Sequence, residues 1–313
     1  MFKRIMAALF IIVFAAALIY WESLPVKSVM IKIDRGTSAR EAAVLMKNSG
    51  VISSEYAFLF LLKLSGRSNS LKAGEYALSP RTSLFSIFEV VTGGRSVRER
   101  VTIPEGFTSR QIADLLAAKK LADPAKFVRL VDKEKLEGYL FPQTYFFEAG
   151  ATEEQMINIM LDEFKKNFTP GMQERAKELK MTENKVVTLA SIIEREAARS
   201  EERPLISSVF HNRLKKGWYL ESCATVMYAI GEHKEKLSLK DLKVKSGYNT
   251  YICYGLPPGP ICNPGIDSIK AALYPAESED MFFVVNGSGT HVFSRYYEEH
   301  LKNKRRSKRL KIQ

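Results

Sequence analysis

The chain has 313 residues, 46% of them apolar, which is enough to bury the cores of two domains. Its 47 Lys and Arg outweigh 35 Asp and Glu to give a net charge of +12, but much of the excess gathers at the C-terminus and does not mark a nucleic-acid binder. Three cysteines, Cys223, Cys253 and Cys262, form no Cys-x-x-Cys pair and match no standard zinc spacing with His211, His233 or His291, so neither a metal nor a cofactor is expected.

The N-terminus reads Met-Phe-Lys3-Arg4 and then runs uncharged from Ile5 to Trp21. As a helix this run spans roughly 25 Å, a little short of a hydrocarbon core of about 30 Å. Snorkelling Lys3 and Arg4 at one end and Tyr20 and Trp21 at the other make up the difference. Basic residues before the run put residues 1–4 in the cytoplasm, 5–21 in the inner (cytoplasmic) membrane, and the rest on the periplasmic or extracytoplasmic side. A cleaved signal peptide is the competing reading. Ala15-Ala16-Ala17 keeps it open, while the length of the run and its bulky Ile-Tyr-Trp end argue against it.

Val29 to Asp34 alternates as a strand, and Thr37 or Ser38 is placed to cap a helix that runs to about Asn48, with Gly50 stopping it. A second helix is expected over Tyr56–Leu64, a short strand near Leu71–Leu78, and a helix over Leu84–Val91 capped by Ser83. The first pattern then recurs. Ile-Asp-Arg-Gly36-Thr-Ser38 and Ile-Pro-Glu-Gly106-Phe-Thr108 are two copies of strand, glycine turn and capped helix. Such units resemble the LysM module, a binder of N-acetylglucosamine-containing glycans, and residues 28–128 are assigned to a LysM-like α/β region. The generic alternative is an α+β spacer.

Residues 129–301 are expected to be mainly helical. Leu136–Phe147 is densely aromatic, fitting core at a domain junction better than a sugar-stacking surface. Helices follow over Thr152–Asn167, Pro170–Leu179, Thr182–Ala198 and Pro204–Lys216. The third carries Val187-Thr-Leu-Ala-Ser-Ile-Ile-Glu194-Arg-Glu-Ala197, which sets one carboxylate beside an apolar stripe. Glutamate is rarely buried unless paired or used. Desolvation at such a place favours the protonated form that a general acid needs. The plainer reading is a helix-flank glutamate paired with Arg195 or Arg199. Four prolines and three glycines over residues 255–265 make a stiff loop of the kind that lines binding sites. Phe282–Phe293 reads as a hairpin around Asn286-Gly287. The basic run 302–313 reads as a solvated, disordered tail. Cys253 and Cys262 flank the stiff loop, where a bridge between them would stiffen it further, with Cys223 an alternative partner for either; one disulfide is more expected than a metal.

Taken together, these segments resemble the MltG (YceG-like) family of endolytic murein transglycosylases. The matching motifs are Glu-Gly-x-Leu-Phe-Pro-x-Thr-Tyr at 137–145, Leu-Ala-Ser-Ile-Ile-Glu-Arg-Glu at 189–196, Val-Phe-x-Asn-Arg-Leu at 209–214, Tyr-Asn-Thr-Tyr at 248–251, Gly-Leu-Pro-Pro-Gly-x-Ile at 255–261, Asn-Pro-Gly at 263–265 and Gly-x-Gly-x-His-x-Phe-Ser at 287–294. The resemblance implies an α+β chain with a single transmembrane helix, a LysM-like region and a mainly helical catalytic domain carrying a small hairpin. It implies Glu194 as the catalytic acid–base and a substrate-binding set of Tyr248, Asn249, Tyr251, Thr225, Glu221 and Asn212. For the Tyr248, Asn249 and Tyr251 side chains, core packing is an equal alternative. The family commonly has an acidic residue where this chain has Cys223, and Glu221 is the nearby substitute. The implied reaction cleaves the β-1,4 bond between N-acetylmuramic acid and N-acetylglucosamine, leaving 1,6-anhydro ends. The implied partners are peptidoglycan strands, the inner membrane and peptidoglycan synthases, with nascent-strand termination as the role. A second carboxylate in the cleft, Glu221 or Asp267, would instead favour a water-adding muramidase, and a structural Glu194 would leave a membrane-anchored binder. Glu196, two residues on, is turned about 200° from Glu194.

Overall fold

Serine and threonine start the helices where the sequence places them. Ser38 accepts the Glu41 N–H and Glu41 returns a bond to the Ser38 N–H, opening α1 (Ala39–Asn48). Thr108 and Gln111 make the same reciprocal pair at α4 (Ser109–Ala118), and Thr182 caps α8 (Glu183–Glu196). The computed structural model describes residues 29–67, 70–80, 82–93, 98–148, 151–232, 234, 236–286 and 289–310. The membrane anchor expected over 5–21 lies outside these. Among the described residues no helix is long and apolar enough to cross a membrane. The chain divides into two compact units, one ending at Glu99 and taking in Glu148, the other made of Arg100–Phe147 and the described residues from Ala151.

In the first unit β1 (Val29–Ile33) pairs antiparallel with β2 (Gly74–Leu78), Ile31 opposite Tyr76. Between them run α1 and α2 (Glu55–Leu64), and α3 (Leu84–Gly93) follows. Strand alternation turns Ile31 and Ile33 inward against Ala42, Met46, Phe58, Leu62 and Phe88. The fully buried Tyr76 ring keeps its hydroxyl satisfied by donating to the Lys72 carbonyl at 2.6 Å.

The second unit opens on a repeat of that order. β3 (Arg98–Thr102), α4, α5 (Pro124–Glu134) and β4 (Thr144–Glu148) follow one another, with β3 and β4 paired in their own sheet. The α5 helix has a legible start, Asp123 as cap and Pro124 in the first turn, yet the sequence reading left it out. The division near residue 100 places this repeat with the larger unit, whereas the expected LysM-like region ran on to 128.

The remaining helices are α6 (Glu153–Asn167), α7 (Pro170–Glu178), α8, α9 (Arg203–Lys215), α10 (Cys223–Ile230) and α11 (Ile266–Leu273). They close on α8, whose residues Val186 to Ile193 are all buried, with α7, α9, α10 and α11 packed against it. The hairpin forms as expected from β5 (Phe282–Val285) and β6 (His291–Ser294).

Two expectations are corrected. The basic run is not a disordered tail as far as it is described, because α12 (Tyr297–Leu310) carries it. Tyr297 and His300 pack on the Phe282 ring and the buried Ser307 hydroxyl donates to the Val285 carbonyl, so one face of the helix is anchored while Lys302, Lys304, Arg305 and Arg306 stay in water. The Cys253–Cys262 disulfide does not form. All three cysteines are free; Cys262 is buried against the Ser191 carbonyl and Cys253 turns to the Ser246 carbonyl.

Candidate active site

Glu194 sits in the last turn of α8 with its side chain only 7% exposed. Both of its oxygens are held. Arg203 Nη2 donates to Oε1 at 3.0 Å, and the Gly265 backbone N–H donates to Oε2 at 3.0 Å. Gly265 is the N-cap of α11, so the carboxylate faces a helix N-terminus, where partial positive charge and free N–H groups favour an anion. Arg203 is itself buried and fixed, giving Nε to the Ser268 hydroxyl at 2.9 Å and Nη1 to that of Ser200 at 2.6 Å. The partner of Glu194 is therefore Arg203 on the next helix, and neither Arg195 nor Arg199. Arg195 instead reaches the Gly106 carbonyl at 3.4 Å.

A second carboxylate shares this arginine. Glu105 Oε2 lies 3.6 Å from the same Arg203 Nη2. Burial raises the Glu105 carboxyl above the ordinary range, the charges of Glu194 and Asp267 add to the rise, and Arg203 opposes it. Its side chain stays half exposed at the site's edge. A Cβ on Gly265 would meet the end of the Glu105 side chain, which would have to swing aside. Sequence reasoning missed Glu105. The only signal was a charged residue in a glycine turn between a strand and a capped helix.

The stiff loop is positioned by side chains of its own motifs. Ser191 of α8 accepts the Ile261 N–H at 3.0 Å. The buried Asn263 accepts the Leu140 N–H at 2.8 Å through Oδ1, donates Nδ2 to the Phe107 carbonyl at 3.0 Å, and takes the Gly106 N–H on its own carbonyl at 2.9 Å. One asparagine thus ties the Glu105 turn and the 136–140 loop to the residue two before Gly265. Gly138, at φ +91°, lets that loop approach, since a Cβ there would overlap Pro260 and Val187. Beside it Glu137 accepts the Ser109 N–H and the Asn263 amide at 3.1 Å each, and burial pushes its carboxyl up to about 7.

The expected substrate-binding residues part company. Asn249 and Thr225 are fully buried and their polar atoms are used inside the protein. Asn249 donates to the Leu242 and Val244 carbonyls and accepts the Tyr251 N–H; Thr225 bonds the Ser222 carbonyl and the Thr250 hydroxyl. Asn212 holds the Ser278 and Asp280 carbonyls. In all three the side-chain polar atoms already have partners inside the protein. Glu221 is half exposed and paired with Arg213 at 3.3 Å. Tyr248 packs on Tyr228, and the Tyr251 hydroxyl meets the Cys223 thiol at 3.1 Å; both rings keep partial exposure. Glu196 faces away from Glu194 as its helical offset requires, accepting the Ser222 hydroxyl at 2.5 Å at the start of α10, with burial raising its carboxyl. Among the described residues no cluster of His, Cys, Asp and Glu is arranged to hold a metal.

Comparison with known proteins points one way. The sequence model of the YceG-like family matches residues 31–306. An endolytic murein transglycosylase of Bacillus subtilis is 35% identical over 94% of this chain and 90% of its own length. One from Streptococcus pneumoniae is 31% identical over 88% of this chain, which spans 58% of that longer protein. A crystal structure of a yceG-like protein from Listeria monocytogenes matches with a TM-score of 0.60 at 35% identity, covering 88% of this chain and 98% of that one.

Proposed function

The chain belongs to the YceG-like family, and from that premise we propose that it is an endolytic lytic transglycosylase of peptidoglycan with Glu194 as its acid and base. The observation that carries the reading is a single deeply set carboxylate whose two oxygens meet a fixed guanidinium and a helix N-terminal N–H. In its protonated form Glu194 gives its proton to the oxygen of the MurNAc–GlcNAc β-1,4 bond as that bond breaks. Arg203 and the Gly265 N–H then stabilise the carboxylate that forms, donors already aimed where charge develops. The same carboxylate takes the proton of the muramyl C6 hydroxyl, which attacks C1 and closes the 1,6-anhydro ring. No water is consumed. A hydrolase needs a second carboxylate to activate water; Glu221 is committed to Arg213, while Glu105 and Asp267 lie beside Glu194 and Arg203, so the chemistry of the released ends separates the two reactions.

The finer reading has the chain held by residues 5–21 in the inner membrane, its catalytic unit outside the cytoplasm, ending nascent glycan strands beside peptidoglycan synthases. Two strand–helix–helix–strand units support a LysM-like, glycan-binding role for the region before the catalytic helices. Tyr248 and Tyr251 keep partial exposure and are the proposed aromatic contacts to sugar. The test is mass analysis of the ends released from purified glycan strands. Anhydro-muramyl ends are expected. Reducing muramyl ends would mean a muramidase, and no cleavage would mean a binding protein.

A further inference from the structure

The two repeats supply an internal control for one residue. Ile33-Asp34-Arg35-Gly36-Thr37-Ser38 aligns without a gap on Ile103-Pro104-Glu105-Gly106-Phe107-Thr108. Both glycines are left-handed, at φ +85° and +76°, and both caps make the reciprocal hydrogen-bond pair with the residue three on. The same turn is built with arginine in one copy and glutamate in the other, so the turn itself has no need of a carboxylate at position 105. What differs is the surroundings. A Cβ on Gly36 would meet nothing within 4 Å, whereas one on Gly106 would lie 3.6 Å from Glu194 Cγ and 3.8 Å from Arg195 Cδ.

That placement poses a chemical question. Glu194 must carry a proton at the start of each turnover, yet both of its oxygens face donors that favour the carboxylate. Arg203 is the only full positive charge bonded to it among the described residues, and Arg203 Nη2 is shared with Glu105.

We propose that Glu105 is a positioning residue for the reaction: by dividing the charge of Arg203, it keeps Glu194 able to hold the proton that it delivers to the glycosidic oxygen. This rests on the assignment of Glu194 as the acid. The charged and titratable groups that face the pair are Arg203 from α9, Arg195 from α8, Asp267 from the first turn of α11, and the buried Cys262 thiol. A guanidinium does not give up its proton in the working range. Burial lifts the Cys262 thiol well above its ordinary value, which leaves it neutral there. Asp267 acts in the same direction as Glu105, so removing Glu105 leaves part of the effect in place. Burial first, and then the charges of Glu194 and Asp267, raise the Glu105 carboxyl, while Arg203 opposes the rise.

The experiment is the pH dependence of anhydro-end formation by the full chain on purified uncrosslinked glycan strands, for wild type, Glu105→Gln and Glu105→Asp. With the charge gone, Arg203 acts undivided on Glu194, and the acid loses its proton more readily. The alkaline limb of the rate is expected to move about one unit to lower pH in Glu105→Gln, the lower end of the range for a neighbouring charge. That displacement is a loss of roughly tenfold on the limb itself, with the low-pH plateau and KM within about twofold of wild type. Glu105→Asp keeps the charge and is expected to restore most of the displacement. A Glu105→Gln profile lowered equally at every pH, or a raised KM with an unmoved limb, would overturn the proposal in favour of a packing or sugar-contact role. Thermal melting checks the fold, and Glu105→Ser gives the same charge removal should Gln not fold. Glu194→Gln is the separate control. If that variant still cleaves, the acid assignment has failed, whatever the Glu105 profile shows.

Discussion

The two strand–helix–helix–strand copies share a local design and differ in how they use charge. Among the described residues of the first unit the ion pairs lie at the surface, Arg67–Glu89 in the open at 3.3 Å and Lys47–Glu55 partly shielded at 3.0 Å, and the buried core of Ile31, Phe58, Tyr76 and Phe88 holds no ionised group. Exposed pairs of this kind add little stability. In the second unit the equivalent turn brings Glu105 to a buried arginine, and Glu137 bonds the first N–H of α4 from a buried position. Buried charge is expensive unless paired or hydrogen-bonded, so its concentration in one copy marks where the fold is held to a chemical requirement. The same turn geometry in the other copy shows that folding alone did not impose it.

The largest effect is expected from replacing the buried Glu194 carboxylate. Glu194→Gln keeps the shape but has one acceptor oxygen for the two donors Arg203 and Gly265, and it has no transferable proton. Cleavage should fall by about 10²–10⁴-fold, and circular dichroism should show the native helical content retained, with melting lowered because Arg203 loses its charged partner. More than about a tenth of wild-type turnover would show that the chemistry lies elsewhere.

Glu137 offers the next largest effect. Its carboxyl titrates near 7 in the fold and near 4.5 in the unfolded chain, so the folded state binds the proton more tightly. Its contribution is full below about pH 4.5 and is lost as pH rises through 7, a change of about 3 kcal/mol at most. Hydrogen exchange should show amides of α4 and the 136–140 loop opening more readily at pH 8 than at pH 5, while those of β1 and β2 hold steady. Glu137→Gln should flatten that difference, and an equal pH response in both units would remove Glu137 as its source.

Gly265→Ala sharpens the comparison at the site. The backbone at 265 has φ −73°, so alanine brings no left-handed strain; its Cβ simply displaces the Glu105 carboxylate. Activity at alkaline pH should fall by roughly tenfold, following Glu105→Gln in its pH profile. A wild-type profile would mean that Glu105 relaxes without consequence.

The smallest effect is expected from replacing Cys223, Cys253 and Cys262 together by serine. None is bridged, and only Cys262 is fully buried. A loss of about 1 kcal/mol in stability, typical of a buried substitution, should leave turnover within about twofold. Loss of cleavage in a normally folded triple variant would place a thiol in the chemistry.

Features set by neighbours a few residues apart are written in the chain itself. Ser38, Thr108 and Thr182 each reach a backbone N–H three residues on, so the helix starts were legible. Strand alternation at Ile31 and Ile33, the Asn286 hairpin and the apolar stripe around Glu194 follow from side-chain periods of two and 3.6. The resemblance of motifs picked out Glu194 itself. Tertiary structure alone decided what surrounds it. Arg203, Gly265 and Glu105 come from three separate elements, and no local period records which of them will meet. Asn249, Thr225 and Asn212 read as polar residues in functional motifs, and only packing revealed that their amides and hydroxyls fasten the scaffold. Charge composition made the C-terminal run look solvated throughout. It is helical because one face, through Tyr297, His300 and Ser307, has the hairpin to bury against, and a contact across the hairpin is invisible in a linear pattern of lysine and arginine.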